Sequence, residues 1–376
     1  MFDFPFQEPS VLTALYCILS YLVIIIIGYK RFYQNKILRY NRKLPIGVLF
    51  LLYVLIAAHA MNGDFFHLME TVHNYDFTIG AYQAQEVMYP LLAKAVNRNY
   101  LLFRLILWGI AFLFVMRTYY SVGINSHFGI CVLLLCYSIT FAYARAAVAA
   151  TVYFMGFVML IRDKNLLIFR VIGLLLLLLS FQFHRSLLVL IILTPSIFLP
   201  INKRILYIVL GLMPFIIIMV RMVFSNSLNQ LAFLDDEVLL RKMENYSSGE
   251  KENIQSVRVV IMNTIMYISI YIPFLISSYY ILIKDFKIKM GKTVIRLYTY
   301  TFWLFVITTA SAYIENDASI FFYRLLFMTI VPSTALFVYM IQKGFIKRKI
   351  VYRTFVLCVF SQSLFYMYMV YLNNVQ

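Results

Sequence analysis

Long apolar stretches separated by short charged ones dominate this chain. They lack both the period-two alternation of a half-buried strand and the narrow apolar stripe of a surface helix. A helix rising about 1.5 Å per residue needs about 20 apolar residues to cross roughly 30 Å of hydrocarbon. Twelve such segments are predicted, at 10–29, 44–61, 99–116, 128–144, 146–161, 171–183, 187–200, 205–224, 259–283, 297–314, 318–341 and 354–372. The segments flanking Arg145, and those flanking His184, are short and share a polar junction. Each pair reads as two helices, as one long helix or as a re-entrant hairpin. The expected fold is all-α: a polytopic integral membrane protein of about 12 transmembrane helices, with 10 to 14 as the range, in a single transmembrane domain over 1–376.

Composition narrows the class further. Of the 376 residues, 63% are apolar and 13% charged, against roughly half and a quarter in soluble domains. A chain this apolar has too few polar groups to cover a surface facing water, which excludes a secreted enzyme, a cytosolic domain or a disordered chain. The 34 Phe and 30 Tyr against 2 Trp suit a membrane interior and its interfaces. Cys17, Cys131, Cys136 and Cys358 lie in apolar runs without a CxxC pair, so neither disulfides nor a structural metal are expected.

Charge orients the helices. Asp3 and Glu8 precede the first apolar run and Lys30 and Arg31 follow it, the reverse of a secretory signal, which predicts a retained helix with the N-terminus outside. The inner loops near 30–43, 117–127, 162–170, 201–204, 284–296 and 342–353 then carry 22 Lys and Arg with only Asp163 and Asp285, and the outer loops carry 8 with 14 acids. The net charge of +17 is therefore the positive-inside bias of a membrane protein, and no nucleic-acid partner is expected. Two larger outer loops, 62–98 and 225–258, point to function on the outer face.

The polar residues near that face are few. Asp64 and Glu86 stand at either edge of the first long loop, placed to hold sugar hydroxyls or take a proton from one; solvated loop acids are the plain alternative. Arg145 sits in the small-residue run Ala142 to Ala150, which favours close helix packing and a guanidinium facing protein or a wet cavity over one snorkelling to headgroups. His184 and Arg185 interrupt an apolar stretch; if helical they are about 100° apart, so both cannot point one way. Tyr323 and Arg324 follow Asp317 by up to two turns. Arg104 and Arg221 are weaker cases of the same kind. No GxSxG elbow, phosphate loop, dinucleotide fingerprint or HExxH motif is present. Guanidiniums that grip a diphosphate through paired donors, beside a carboxylate or imidazole base, suit an anionic lipid-linked substrate.

Gly63-Asp64 after the second span, Glu86 to Leu92 before the third, Arg145 in its Ala-rich helix, His184-x-Ser186 and Arg324 in a late span occur in the order seen in EpsG-like proteins. In this the chain resembles Wzy-type polysaccharide polymerases of bacterial envelopes. Phe65, Val87-Met88 and Ala146 depart from the usual pattern. The resemblance implies polymerisation of polyprenyl-diphosphate-linked oligosaccharide repeat units at the outer face of the bacterial inner membrane, without metal, nucleotide or other cofactor. It implies Arg145 and Arg324 on the diphosphate with Arg185 assisting, Glu86 or His184 as base, and Asp64, Tyr323 and Asp317 on the substrate. The partners implied are the lipid-linked oligosaccharide, membrane lipid, a chain-length regulator and a flippase. A lipid-linked oligosaccharide flippase, or another polyprenyl-donor transferase or ligase, would use similar residues.

Overall fold

The computed structural model of the chain describes residues 87–141, 144–162, 166–184, 187–230, 257–311 and 325–375, with the isolated positions 19, 22, 23, 26 and 72. The predicted spans at 10–29 and 44–61 fall essentially outside this set. The described residues form helices and short connections, with no strand among them. In order these are α1 (Met88–Ala95), α2 (Tyr100–Val122), α3 (Ser126–Phe141), α4 (Ala144–Ile161), α5 (Leu167–Phe183), α6 (Leu187–Ile192), α7 (Lys203–Gln230), α8 (Val257–Ser278), α9 (Lys292–Ser311), α10 (Ile330–Gln342) and α11 (Arg348–Val375).

Among the described residues, Leu102–Val122 and Leu325–Gln342 are long and apolar enough to cross a membrane. Several observed helices are longer than the apolar runs that predicted them: α2 and α11 include Arg117 and Arg353, and α7 and α9 begin at Lys203 and Lys292. Hydropathy marks where hydrocarbon would be, whereas backbone hydrogen bonding carries a helix on into the headgroup region. The end of the predicted outer loop 62–98 is likewise structured. It forms α1, which packs on α2 and α5 with Tyr89 and Ala93 buried.

The core is built around α4 and α10. Ala146 to Val158 of α4 are buried on every side, and so are Leu325 to Ile341 through α10. α4 touches α2, α5, α9 and α10; α10 touches α2, α3, α4, α8 and α9. The α4–α5 hairpin is the tightest contact, because a Cβ on Gly156 would lie 2.6 Å from the Gly173 carbonyl oxygen and one on Gly173 would lie 2.8 Å from that of Gly156. Only glycine at both positions lets the two backbones meet. Around this core, α5 and α7 turn Leu167, Ile168, Leu174, Leu175 and Leu178, and Ile208, Leu210, Leu212, Phe215 and Ile218, outward and exposed. Apolar faces of that extent suit lipid and not water.

Most buried threonine hydroxyls are satisfied within their own helix. Thr118, Thr301, Thr308 and Thr334 donate to the carbonyl four residues back, as Ser277 does to Pro273 O at 2.8 Å; the carbonyl that Pro273 deprives of an N–H is that of Ser269, and Cys358 Sγ of α11 lies 3.6 Å from it. α8 then loosens into a π turn over Tyr279–Ile283. α3 bends at Tyr137 (φ −141°, ψ 15°).

Five connections meet at one end of the bundle. Asn125 N–H donates to Gln342 Oε1 (3.2 Å), Arg296 Nη1 to Ile161 O (2.8 Å) and Lys287 Nζ to Ile201 O (2.7 Å), while the rings of Phe286 and Phe345 stack at 4.6 Å. These contacts join the loops near 117–127, 162–170, 201–204, 284–296 and 342–353, which the charge count groups together. We call this the basic end. Here Arg296 also caps the carboxy-terminal carbonyl of α4, where a cation is favoured by the helix dipole.

Candidate functional site

The opposite end holds the candidate site residues that the structure describes. Of the eight singled out in the sequence, Arg145 lies in the first turn of α4, with its backbone described, and His184 ends α5. Asp64, Glu86, Arg185, Asp317, Tyr323 and Arg324 lie outside the described residues.

The hairpin geometry sets Arg145 and His184 at one level. Gly156 meets Gly173 at the crossing, the two helices run antiparallel, and each site residue is eleven positions from its glycine. Both backbones are therefore about 16 Å from the crossing in the same direction, at about 1.5 Å per residue. α10 reaches the same end: Gln342 is at the basic end, and Leu325, the residue after Arg324, is seventeen positions away, or about 26 Å along the helix. Two buried helices that touch each other, α4 and α10, thus run from this end inward. α4 begins at Ala144, and its amino-terminal dipole favours an anion there.

His184 is not part of a continuing helix. Its φ of −162° and ψ of 119° are extended; its N–H donates to Ser180 O (3.2 Å) and its carbonyl accepts from Leu187 N–H (3.1 Å). The 100° relation to Arg185 expected for a helix therefore does not apply. The imidazole is buried, with 6% of its surface exposed. Beside it the ring of Phe183 meets the buried ring of Tyr89 edge-on at 6.0 Å, and Tyr89 lies 6.3 Å from Phe103 of α2. Next to Phe103, Arg104 is almost wholly buried, its guanidinium 5.7 Å from the Tyr100 ring centre. The segment following Glu86 is by this route packed against the His184 junction.

Sequence reasoning passed over Tyr89, Phe103 and Phe183, and left Arg104 in the background. The signal was present in part: Phe103, Arg104, Leu107, Trp108 and Ala111 recur at helical spacing and are all buried on one face of α2.

Past His184 the predicted span 187–200 is corrected. It is no continuous helix but the six-residue α6, a 3-10 turn at Thr194–Phe198 and extended chain to Ile201. Pro195 has no N–H for the Ile191 carbonyl, the α-helix ends at Ile192, and the carbonyl of Leu190 is served by side chains. Thr194 Oγ1 of the same segment lies 3.1 Å from Leu190 O, and two other helices contribute hydroxyls. Tyr300 OH of α9 donates to Leu190 O at 2.9 Å, while Tyr153 OH of α4 lies 2.8 Å from that oxygen and 2.9 Å from Thr194 Oγ1. With one proton each, either Tyr153 or Thr194 donates to the carbonyl and the other donates to its neighbour. A broken segment at this depth is tolerable because protein hydroxyls satisfy it. Both Tyr rings join Phe154 and Phe157 in an aromatic cluster, Phe157 and Tyr300 at 4.4 Å.

No group of three or more His, Cys, Asp or Glu placed to hold a metal ion occurs among the described residues. The sequence pattern of the EpsG family matches residues 43–376. No match is found among curated proteins or among solved structures.

Proposed function

The chain belongs to the EpsG family, the family of Wzy-type polysaccharide polymerases and EpsG-like glycosyltransferases, and we propose that it joins polyprenyl-diphosphate-linked oligosaccharide repeat units into a surface polysaccharide. The family makes it a polymerase-type membrane protein of polysaccharide biosynthesis. The rest is our reading. The chain is a multi-pass protein of the bacterial inner membrane with about twelve spans, its N-terminus outside and its basic end in the cytoplasm.

In this reaction an acceptor sugar hydroxyl attacks the anomeric carbon of the glycan on the donor lipid. The new glycosidic C–O bond forms, the C–O bond to diphosphate breaks, and the hydroxyl proton passes to a base. The energy resides in the glycosyl diphosphate, so neither nucleotide nor metal is required. Arg145 and Arg324 bind the departing diphosphate, with Arg185 assisting. Glu86 or His184 takes the proton; Asp64, Asp317 and Tyr323 hold the sugars.

One observation carries this reading. Arg145 stands in the first turn of the buried helix α4, and the buried His184 that ends α5 is level with it. A guanidinium and a helix amino terminus reinforce each other toward an anion.

The test is elongation by purified, reconstituted protein supplied with lipid-linked repeats in EDTA. Longer lipid-linked glycan and released polyprenyl diphosphate are expected. Activity restored only by Mg²⁺ or Mn²⁺ would mean a metal site among the acids of 62–98, and translocation without elongation would mean a flippase. Orientation is tested by cysteine labelling in cells: Ser247→Cys should react with an impermeant thiol reagent from outside and Asn35→Cys should not.

A further inference from the structure

At the basic end, the link between the π turn and α9 is a 3-10 turn, Phe286–Lys289. It is held from within. The Phe286 ring stacks on Phe345 (4.6 Å) and Tyr280 (6.1 Å), and Lys287 donates to Ile201 O. Those two anchors leave Ile288 facing out, 84% exposed, the most exposed of the large apolar side chains described. Lys284, Lys289 and Lys292 are exposed around it, and Asp285 is the one acid among the described residues of this end. Where α8 passes into the π turn, Leu275 and Tyr279 are exposed four residues apart, and Lys284 Nζ lies 6.0 Å from the Tyr279 ring centre.

That order, aliphatic then tyrosine then lysine, is the sequence of environments from acyl chain to headgroup. An exposed isoleucine flanked in sequence by exposed lysines continues it around the turn. We propose that residues 284–292 are a contact site for anionic phospholipid, with Ile288 among the acyl chains and Lys284, Lys289 and Lys292 on the phosphate-bearing headgroups. The site rests on the membrane embedding of the chain and is independent of the transferase reading, since it lies at the other end of the bundle.

The test uses full-length protein carrying Ile288→Cys labelled with the fluorophore NBD, with the unsubstituted chain labelled in parallel as background. Reconstitution is into phosphatidylcholine mixed with phosphatidylglycerol, and a spin label is placed on the acyl chain of one lipid or the other. Quenching by labelled phosphatidylglycerol should exceed that by labelled phosphatidylcholine at equal mole fraction by at least about 2-fold, since one surface lysine favours an anionic leaflet by roughly 5-fold. Replacing Lys284, Lys289 and Lys292 together by Gln should equalise the two while quenching itself persists. Absence of quenching by either lipid would place Ile288 in water, as for a site that binds a soluble protein, and would overturn the proposal. Equal quenching in the chain with its lysines intact would overturn it as well, leaving insertion without headgroup recognition.

Discussion

Among the described residues, only one end of the bundle buries a cation or an imidazole. At the basic end Lys203, Arg204, Lys284, Lys289, Lys292, Lys343, Lys347, Arg348 and Lys349 are exposed, and the fold uses only a few neighbours of theirs, such as Lys287 and Arg296, to tie loops to backbone carbonyls. At the other end Lys94 and Arg98 are exposed on α1 and its connection to α2, but Arg104 and His184 are buried, and Arg145 heads a helix buried on every side. Exposed charges in number cost little and orient a chain in its membrane, whereas a buried charge costs several kcal/mol unless something compensates it. Conservative substitutions should therefore be silent at the exposed cations of the basic end and severe at the withdrawn groups of the other.

The sharpest test of that contrast concerns the proton acceptor. Of His184→Gln and Glu86→Gln, the one that removes the base should lower polymerisation by about 10² to 10⁴-fold, and the other much less, measured as glycan yield at equal protein abundance. Comparable small losses from both would leave the reaction without either base. Next in size, Arg145→Lys and Arg324→Lys keep the charge but lose the paired donors, and each should cost on the order of 10²-fold in turnover. Arg117→Lys, at the basic end beside the Tyr120 ring, should be nearly silent in the same assay. If Arg145→Lys and Arg324→Lys were as silent as Arg117→Lys, the two ends would not differ in kind.

Smaller effects probe the scaffold that sets the site level. Gly156→Val places a side chain against the Gly173 carbonyl, so the hairpin must part; a loss of about 1–3 kcal/mol is expected, as for overpacking, read as a lower unfolding midpoint in detergent. Gly211→Ala, with nothing within 4 Å of its added Cβ, is the control and should leave the midpoint almost unchanged. Tyr300→Phe removes a donor from Leu190 O and should cost about 1 kcal/mol. Tyr153→Phe should cost a similar amount, and the double substitution more than the sum if the two hydroxyls back each other up.

Much of the architecture was legible in the order of apolar and charged residues, because a helix inserted in lipid must satisfy its own backbone and hydropathy then locates it. α2, α4, α5, α7, α8, α9 and α11 all fall on predicted spans. The grouping of 117–127, 162–170, 201–204, 284–296 and 342–353 was legible for a related reason, since lysine and arginine density changes from one side of a membrane protein to the other. The family was legible too, from short polar motifs in a fixed order, and it is matched over residues 43–376. What tertiary contacts decided is of another kind. The level of Arg145 with His184 depends on Gly156 meeting Gly173, and the break after His184 depends on Tyr153 and Tyr300 reaching Leu190 from other helices. The packing of Tyr89 on Phe183 depends likewise on two segments far apart in the chain. Hydropathy is a property of one segment and its solvent, so it cannot register a glycine or a hydroxyl whose purpose lies on a neighbouring helix. Such pairings come into being only when the helices pack.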